Sequence, residues 1–256
     1  MGKATMSGPV FIVPDAAIHL VDFATLPTGT RGYLVDAPIA LHYLLAERDL
    51  VEPRAEPRGH SLLALGAPDF DRVDRAAANL ATHGFFLDRT CGMVAPGARG
   101  VTQTARLLDE SPLLRSGLVL AGANQRARAS ANSDDEDGIL TAEEIAGLDL
   151  SETQWAVLSA CDTGRGDWQP SEGILGLRRA FDVAGARTVI LSLWPVIDTV
   201  ASQWMTELYR AKFIRNTDTA IAVRTASRTL LANRRTAGQS THPLYWSGFI
   251  ATGDWR

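Results

Sequence analysis

Two segments of this chain end an apolar run on a residue suited to nucleophilic chemistry and then break at glycine. The first is Trp155-Ala-Val-Leu-Ser-Ala-Cys161-Asp162-Thr-Gly164, and the second is Asn79-Leu-Ala-Thr-His83-Gly84-Phe-Phe86. A thiol becomes a nucleophile when a neighbour lowers its pKa or accepts its proton, and histidine is the commonest such neighbour. Cys161 and His83 therefore read as nucleophile and general base. The backbone N–H groups of Gly84 and Cys161 could converge on the oxygen of an attacked peptide carbonyl, forming an oxyanion hole. Glycine at 84 lets the main chain approach a substrate with no Cβ in the way. The plainer alternatives are a small buried hydrophobe at Cys161 and a turn residue at His83.

The elements that must position these residues follow an α/β rhythm of short apolar runs alternating with helix-like segments. The pattern predicts strands over Val10–Val13, Ser61–Leu65, Ala76–Ala81, Gln154–Ala160, Arg187–Leu193 and Leu244–Ala251. It predicts helices over Pro38–Arg48, Gly173–Ala184, Thr199–Phe213 and Thr217–Asn233. Ile174, Leu177 and Phe181 recur at helical spacing, and Gly185 follows where a left-handed cap would end that helix. Strand, helix and strand between Gln154 and Leu193 make a crossover unit of a mainly parallel sheet. Side chains at the carboxyl ends of such strands face the ligand crevice, which puts His83 and Cys161 on one rim. The link between Ser61–Leu65 and Ala76–Ala81 is odd, because only Gly66–Arg75 lie where a parallel crossover needs a dozen or more residues. Cys91–Gly100 and Gln125–Asp137 read as loops. With no linker and no internal repeat, residues 1–256 are expected to form one domain.

Composition excludes several functions. The chain has 256 residues, and 25 Lys and Arg against 29 Asp and Glu leave a net charge of −4, without the clustered basic footprint of a nucleic-acid binder. Apolar residues at 46% and charged residues at 21% are those of a globular protein. No run approaches a membrane span and the first fifteen residues do not resemble a signal peptide, so a cytoplasmic location is expected. The two cysteines, Cys91 and Cys161, suit neither a disulfide framework nor a zinc site. Ser133-Asp-Asp-Glu-Asp137-Gly138 through Glu144 approximates a calcium loop, but Ser133 stands where its first aspartate belongs and no convincing helix enters it. Gly164-Arg-Gly166 and Gly173-Ile-Leu-Gly176 lack the lysine and spacing of a phosphate loop. No metal and no cofactor is expected.

The run Leu158-Ser-Ala-Cys161-Asp162-Thr-Gly164, the step Ala81-Thr-His83-Gly84 and the tail His242-Pro-Leu-Tyr-Trp246-Ser-Gly-Phe249 together resemble a CHAT domain, a caspase-like cysteine peptidase fold. Leu113–Leu118 with Ala121–Asn124, Asp137–Ile145, Glu172–Leu177 and Ala184–Val189 leading into Ser192–Val196 agree in order, so the resemblance covers nearly the whole chain. It implies a three-layer α/β/α sandwich around a mainly parallel central sheet. It also implies peptide-bond hydrolysis by a His83/Cys161 dyad through a thioester, acting on a protein or peptide substrate. Asp162 and Asp88 could favour a basic side chain before the cut bond. The resemblance further implies a tetratricopeptide-repeat region or subunit as partner and a setting in bacterial signalling or defence.

One departure stands out. The family usually places a helix, an edge strand and a second helix between the Leu65-Gly-Ala-Pro68 step and the histidine strand, whereas only Asp69–Arg75 are present here. The edge region between residues 66 and 76 is thus shortened, and one sheet face is expected to lose helical cover. A catalytically silent caspase-like scaffold or interaction module is the alternative reading.

Overall fold

A computed structural model describes residues 9–30, 32–50, 61–65, 83–86, 113, 116–120, 138–159 and 170–256, with backbone alone at 16, 17, 65, 83–86 and 170–174. In chain order the strands and helices begin with β1 (Pro9–Ile12), β2 (Pro27–Thr28), β3 (Gly32–Tyr33), β4 (Ala40–Tyr43) and β5 (Ser61–Leu65). There follow β6 (His83–Phe86), β7 (Ser116–Val119), β8 (Ile139–Thr141), α1 (Ala142–Ala146), β9 (Thr153–Leu158) and α2 (Pro170–Val183). The last are β10 (Thr188–Ser192), α3 (Asp198–Tyr209), α4 (Thr219–Thr236) and β11 (Phe249–Gly253). The chain divides into two units, one of residues 1–55 with 196–256 and the other of residues 56–195.

In the first unit, β4 pairs in parallel with β1 and with β11, in the order β1-β4-β11. The expected helix over Pro38–Arg48 is corrected here: Ala40–Tyr43 is β4, and only Glu47–Leu50 winds, as a single 3-10 turn. Ala and Leu favour helix intrinsically, but His42 and Tyr43 are adjacent and both buried, as on a strand covered on both faces. Tertiary pairing overrides propensity. The last strand starts later than expected, at Phe249, because Pro243–Tyr245 forms a 3-10 turn in which the His242 ring accepts a hydrogen bond from the Leu244 N–H at 3.2 Å.

The helices of this unit follow the sequence pattern closely. α3 runs on into a π turn over Arg210–Ile214, and α4 packs against α3, β4 and β11. Ala222, Ala226 and Leu230, with Ser227 and Leu231, form the buried stripe of α4. Trp204 of α3 stacks on Phe249 at 4.7 Å, and its indole N–H donates to Ser227 Oγ at 3.0 Å.

In the second unit the parallel strands run β10-β9-β5, with Trp155, Ala156, Val157 and Leu158 opposite Thr188–Leu191 on one side and Leu62–Leu65 on the other. β9 and β10 are buried almost throughout, as strands covered on both faces must be. β5 is different: Ser61, Leu62 and Ala64 are exposed. The shortened stretch 66–76 itself lies outside the described residues. A second, antiparallel sheet in the order β6-β7-β8 was not anticipated from the sequence.

α2 connects β9 to β10, and its end forms as the sequence requires. The Gly185 N–H donates to Asp182 O and the Ala186 N–H to Phe181 O, both at 3.0 Å, with Gly185 at φ +102°. This is the Schellman arrangement, which needs a left-handed residue after the helix. A Cβ at Gly185 would lie 3.0 Å from the Ser151 backbone. Gly185→Ala is therefore expected to cost about 1–3 kcal/mol, read as a lower urea midpoint with unchanged slope.

Candidate active site

β9 delivers the chain to the carboxyl edge of the parallel strands. Its last residue, Leu158, is 2% exposed and level with Leu65 of β5 and Leu191 of β10. Cys161, three residues on in sequence, lies outside the described residues, as do Asp162 and Asp88. The chain resumes at Pro170 as the first turn of α2, a position where proline is favoured. In sequence, Cys161 falls between the end of β9 and the start of α2.

The path to His83 differs from expectation. The strand expected over Ala76–Ala81 lies outside the described residues, and β6 begins at His83 instead of ending there. β6 is antiparallel to β7, with His83 opposite Val119 and Gly84 opposite Leu118. An antiparallel partner requires no crossover, and Phe85 and Phe86 favour extended backbone after the histidine. α2 lies against both β6 and β7, so the helix that follows the Cys161 segment also supports the strand that starts at His83. The closeness of the fit shows at Gly176, where a Cβ would lie 2.8 Å from Ser116 Oγ on β7.

Arg178, also on α2, is 1% exposed, a buried guanidinium that sequence reasoning missed. Its position was readable, since it falls four residues after Ile174 on the stripe that carries Leu177 and Phe181. In the same unit, the near-calcium loop has a different outcome at its end. The Glu144 carboxylate accepts from the Thr141 N–H at 2.7 Å and the Thr141 hydroxyl at 2.8 Å, while the Glu144 N–H donates back to Thr141 Oγ1 at 3.2 Å. That capping box starts α1 and occupies the carboxylate a calcium ion would need. Among the described residues no three His, Cys, Asp or Glu gather as a metal site, and no helix is long and apolar enough to cross a membrane.

The first unit holds buried titratable groups that the sequence did not single out. Asp22 Oδ1 accepts from the Ala24 N–H at 2.9 Å and the Tyr43 hydroxyl at 3.1 Å, and Oδ2 accepts from the Ser247 hydroxyl. Burial pushes the Asp22 carboxyl above its ordinary range, with the three donors pulling the other way. His42, 1% exposed, donates Nε2–H to Gly253 O at 2.8 Å, and Nδ1 has no hydrogen-bond partner among the described residues. Burial holds His42 down at about 4, against the raising effects of Gly253 O and Asp254. These residues tie the two ends of the unit together, and strand alternation alone could not mark His42 as buried because both faces of β4 are covered.

Residues 78–254 match the family model described as the CHAT domain. The chain is also 28% identical over 115 residues to tetratricopeptide repeat protein 28 of Mus musculus, and 29% identical over 83 residues to the Homo sapiens protein of that name. These matches cover 45% and 32% of the chain but only 4% and 3% of the relatives, so the chain spans a small fraction of their length.

Proposed function

Because the chain belongs to the CHAT-domain family, we propose that it is a caspase-like cysteine endopeptidase in which His83 is the general base and Cys161 the nucleophile. The observation that carries this reading is the span of the family match, which takes in the histidine-glycine and cysteine segments together. The buried parallel strand leading to Cys161 supports it. The caspase-like arrangement proposed is the three-layer α/β/α sandwich.

In the proposed reaction His83 removes the Cys161 thiol proton, and the thiolate sulfur adds to the scissile carbonyl carbon. The amides of Gly84 and Cys161 hold the oxyanion. Collapse of the tetrahedral species breaks the C–N bond, and His83 returns the proton to the departing amine. Water, deprotonated by His83, then hydrolyses the thioester and restores the thiol. Asp162 and Asp88 favour a basic side chain before the cut bond. The substrate is a protein in a signalling or defence setting in the cytoplasm. A tetratricopeptide-repeat region, in the same polypeptide or a separate subunit, presents it, in keeping with the names of the relatives.

The silent-scaffold reading draws on one specific observation: β6 belongs to the antiparallel sheet and β9 to the parallel one. Alkylation by iodoacetamide across pH separates the two. A peptidase should be labelled selectively at Cys161 well below the reference thiol pKa of about 8.5, and His83→Ala should abolish that advantage. Labelling at the rate of a model thiol in both proteins would favour the scaffold.

A further inference from the structure

Charge is distributed unevenly along this acidic chain. Residues 196–256 carry eight Lys and Arg against four Asp and Glu, although the whole chain is at −4. α4 concentrates the excess, with Arg224, Arg228, Arg234 and Arg235 and no carboxylate on the helix. Two of these are engaged locally. Arg234 Nε donates to Ser240 O with its guanidinium 4.1 Å from the Tyr245 ring centroid, and Arg235 grips Asp36 with two N–H donors at 2.8 and 2.9 Å.

Arg224 and Arg228 remain without a counter-charge of their own. Arg224 donates to the Ala37 carbonyl, its Nε–H has no acceptor, and no carboxylate forms an ion pair with either arginine among the described residues. Their charges oppose one another, since burial first and the Arg228 charge second hold the Arg224 pKa below its usual value. Asp36 is the one carboxylate among the charges felt by Arg224, and it also feels Arg228 and Arg235. One carboxylate facing three guanidinium groups leaves the cluster clearly positive. Arg228 is exposed, and Ile221, one turn before Arg224, is 43% exposed. The adjoining π turn packs against α4 and exposes Phe213 at 53% and Ile214 at 77%.

We infer that the exposed face of α4 docks an acidic, amphipathic helical segment of a protein partner, its carboxylates on Arg224 and Arg228 and its apolar side chains on Ile221, Phe213 and Ile214. Two guanidinium groups four residues apart on a helix present a spacing that Glu pairs four apart on a second helix can match. Apolar surface at Ile221, one turn from Arg224, and on the π turn that packs against α4 suits such a segment better than a nucleic-acid backbone, which needs a longer cationic track. The surface belongs to the unit without His83 and Cys161, so the inference stands independently of the peptidase reading.

The test uses the full chain and a fluorescein-labelled helical peptide bearing Glu pairs four apart beside leucines. A Gln-for-Glu version and a single-stranded DNA of similar length are the other probes. Anisotropy should report saturable binding of the Glu peptide, weakened about tenfold or more by Arg228→Glu and several-fold by Ile214→Ser, with little binding of the Gln peptide. Arg228 and Ile214 are exposed, and a thermal melt confirms that each variant is folded. Equal binding by wild type and Arg228→Glu would overturn the inference. So would the absence of saturable binding, or tighter binding of DNA that Arg228→Glu removes, which would assign the face to polyanions.

Discussion

Cys161→Ala and His83→Ala are each expected to lower cleavage of a peptide library by at least about a thousandfold, and the double variant should be scarcely worse than either alone. Nucleophile and base act as one unit, so losing either removes the whole covalent route. The residual rate, from binding and the Gly84 and Cys161 amides, should be small but measurable. The singles and the double form a cycle: full multiplication of the two losses would mean that the residues act separately and would contradict the dyad. Cleavage surviving undiminished in Cys161→Ala would remove the thiol from the reaction altogether. The same library, read from the wild-type products, tests whether basic residues precede the cut, as Asp162 and Asp88 would favour.

Acid should weaken the first unit over a defined window. His42 is neutral in the folded chain, its pKa held near 4 by burial against an ordinary value of 6.5. The folded-state value is depressed, so the unfolded chain binds the extra proton. Stability from this group is therefore present above 6.5 and lost as pH falls toward 4, amounting to about 3 kcal/mol. Asp22 works in the opposite sense. Its folded pKa is raised from 3.8, so its contribution is full below 3.8 and declines as pH climbs through the folded value. Asp36, held at about 2 by Arg235, contributes above 3.8 and loses that contribution as pH falls toward 2. Between pH 4 and 7 His42 therefore makes the urea midpoint rise with pH, while Asp22 opposes it, and the His42 share is isolated by substitution. In His42→Gln, which keeps a donor for Gly253 O but cannot titrate, that slope should flatten. An unchanged slope would show that His42 titrates alike in the folded and unfolded chain, contrary to the depressed value.

Much of the scaffold could be read from residue order. β9, α2 and β10 follow from an apolar run, a helical stripe and a second apolar run, with Gly185 marking the turn between them. α3 and α4 also fall where the pattern places them, because each presents one apolar face to a core and long amphipathic segments carry a strong periodic signal. Short segments were harder. Ala40–Tyr43 has only four residues, and its helix-favouring composition yields to pairing with β1 and β11, partners far away in sequence. The β6-β7-β8 sheet escaped notice because strands of three and four residues carry too little alternation to register. For the candidate site, the sequence proposes Cys161 and His83 by residue type and by the glycines Gly164 and Gly84 close behind them, and Cys161 lies outside the described residues. Arg178 could have been placed by its position on the α2 stripe, but the Asp22, Tyr43 and Ser247 cluster could not, since those polar residues owe their burial to neighbours that no local pattern reveals.

The first unit joins distant parts of the polypeptide: Ser247 reaches Asp22 across 225 residues, and His42 reaches Gly253 across 211. During synthesis the early strands β1 and β4 therefore emerge from the ribosome long before β11 exists. Until then the edge of β4 that pairs with β11 has no partner, and it is a candidate for shielding by a chaperone. Closing such long loops is also slow, because entropy is lost before the rewarding contacts form.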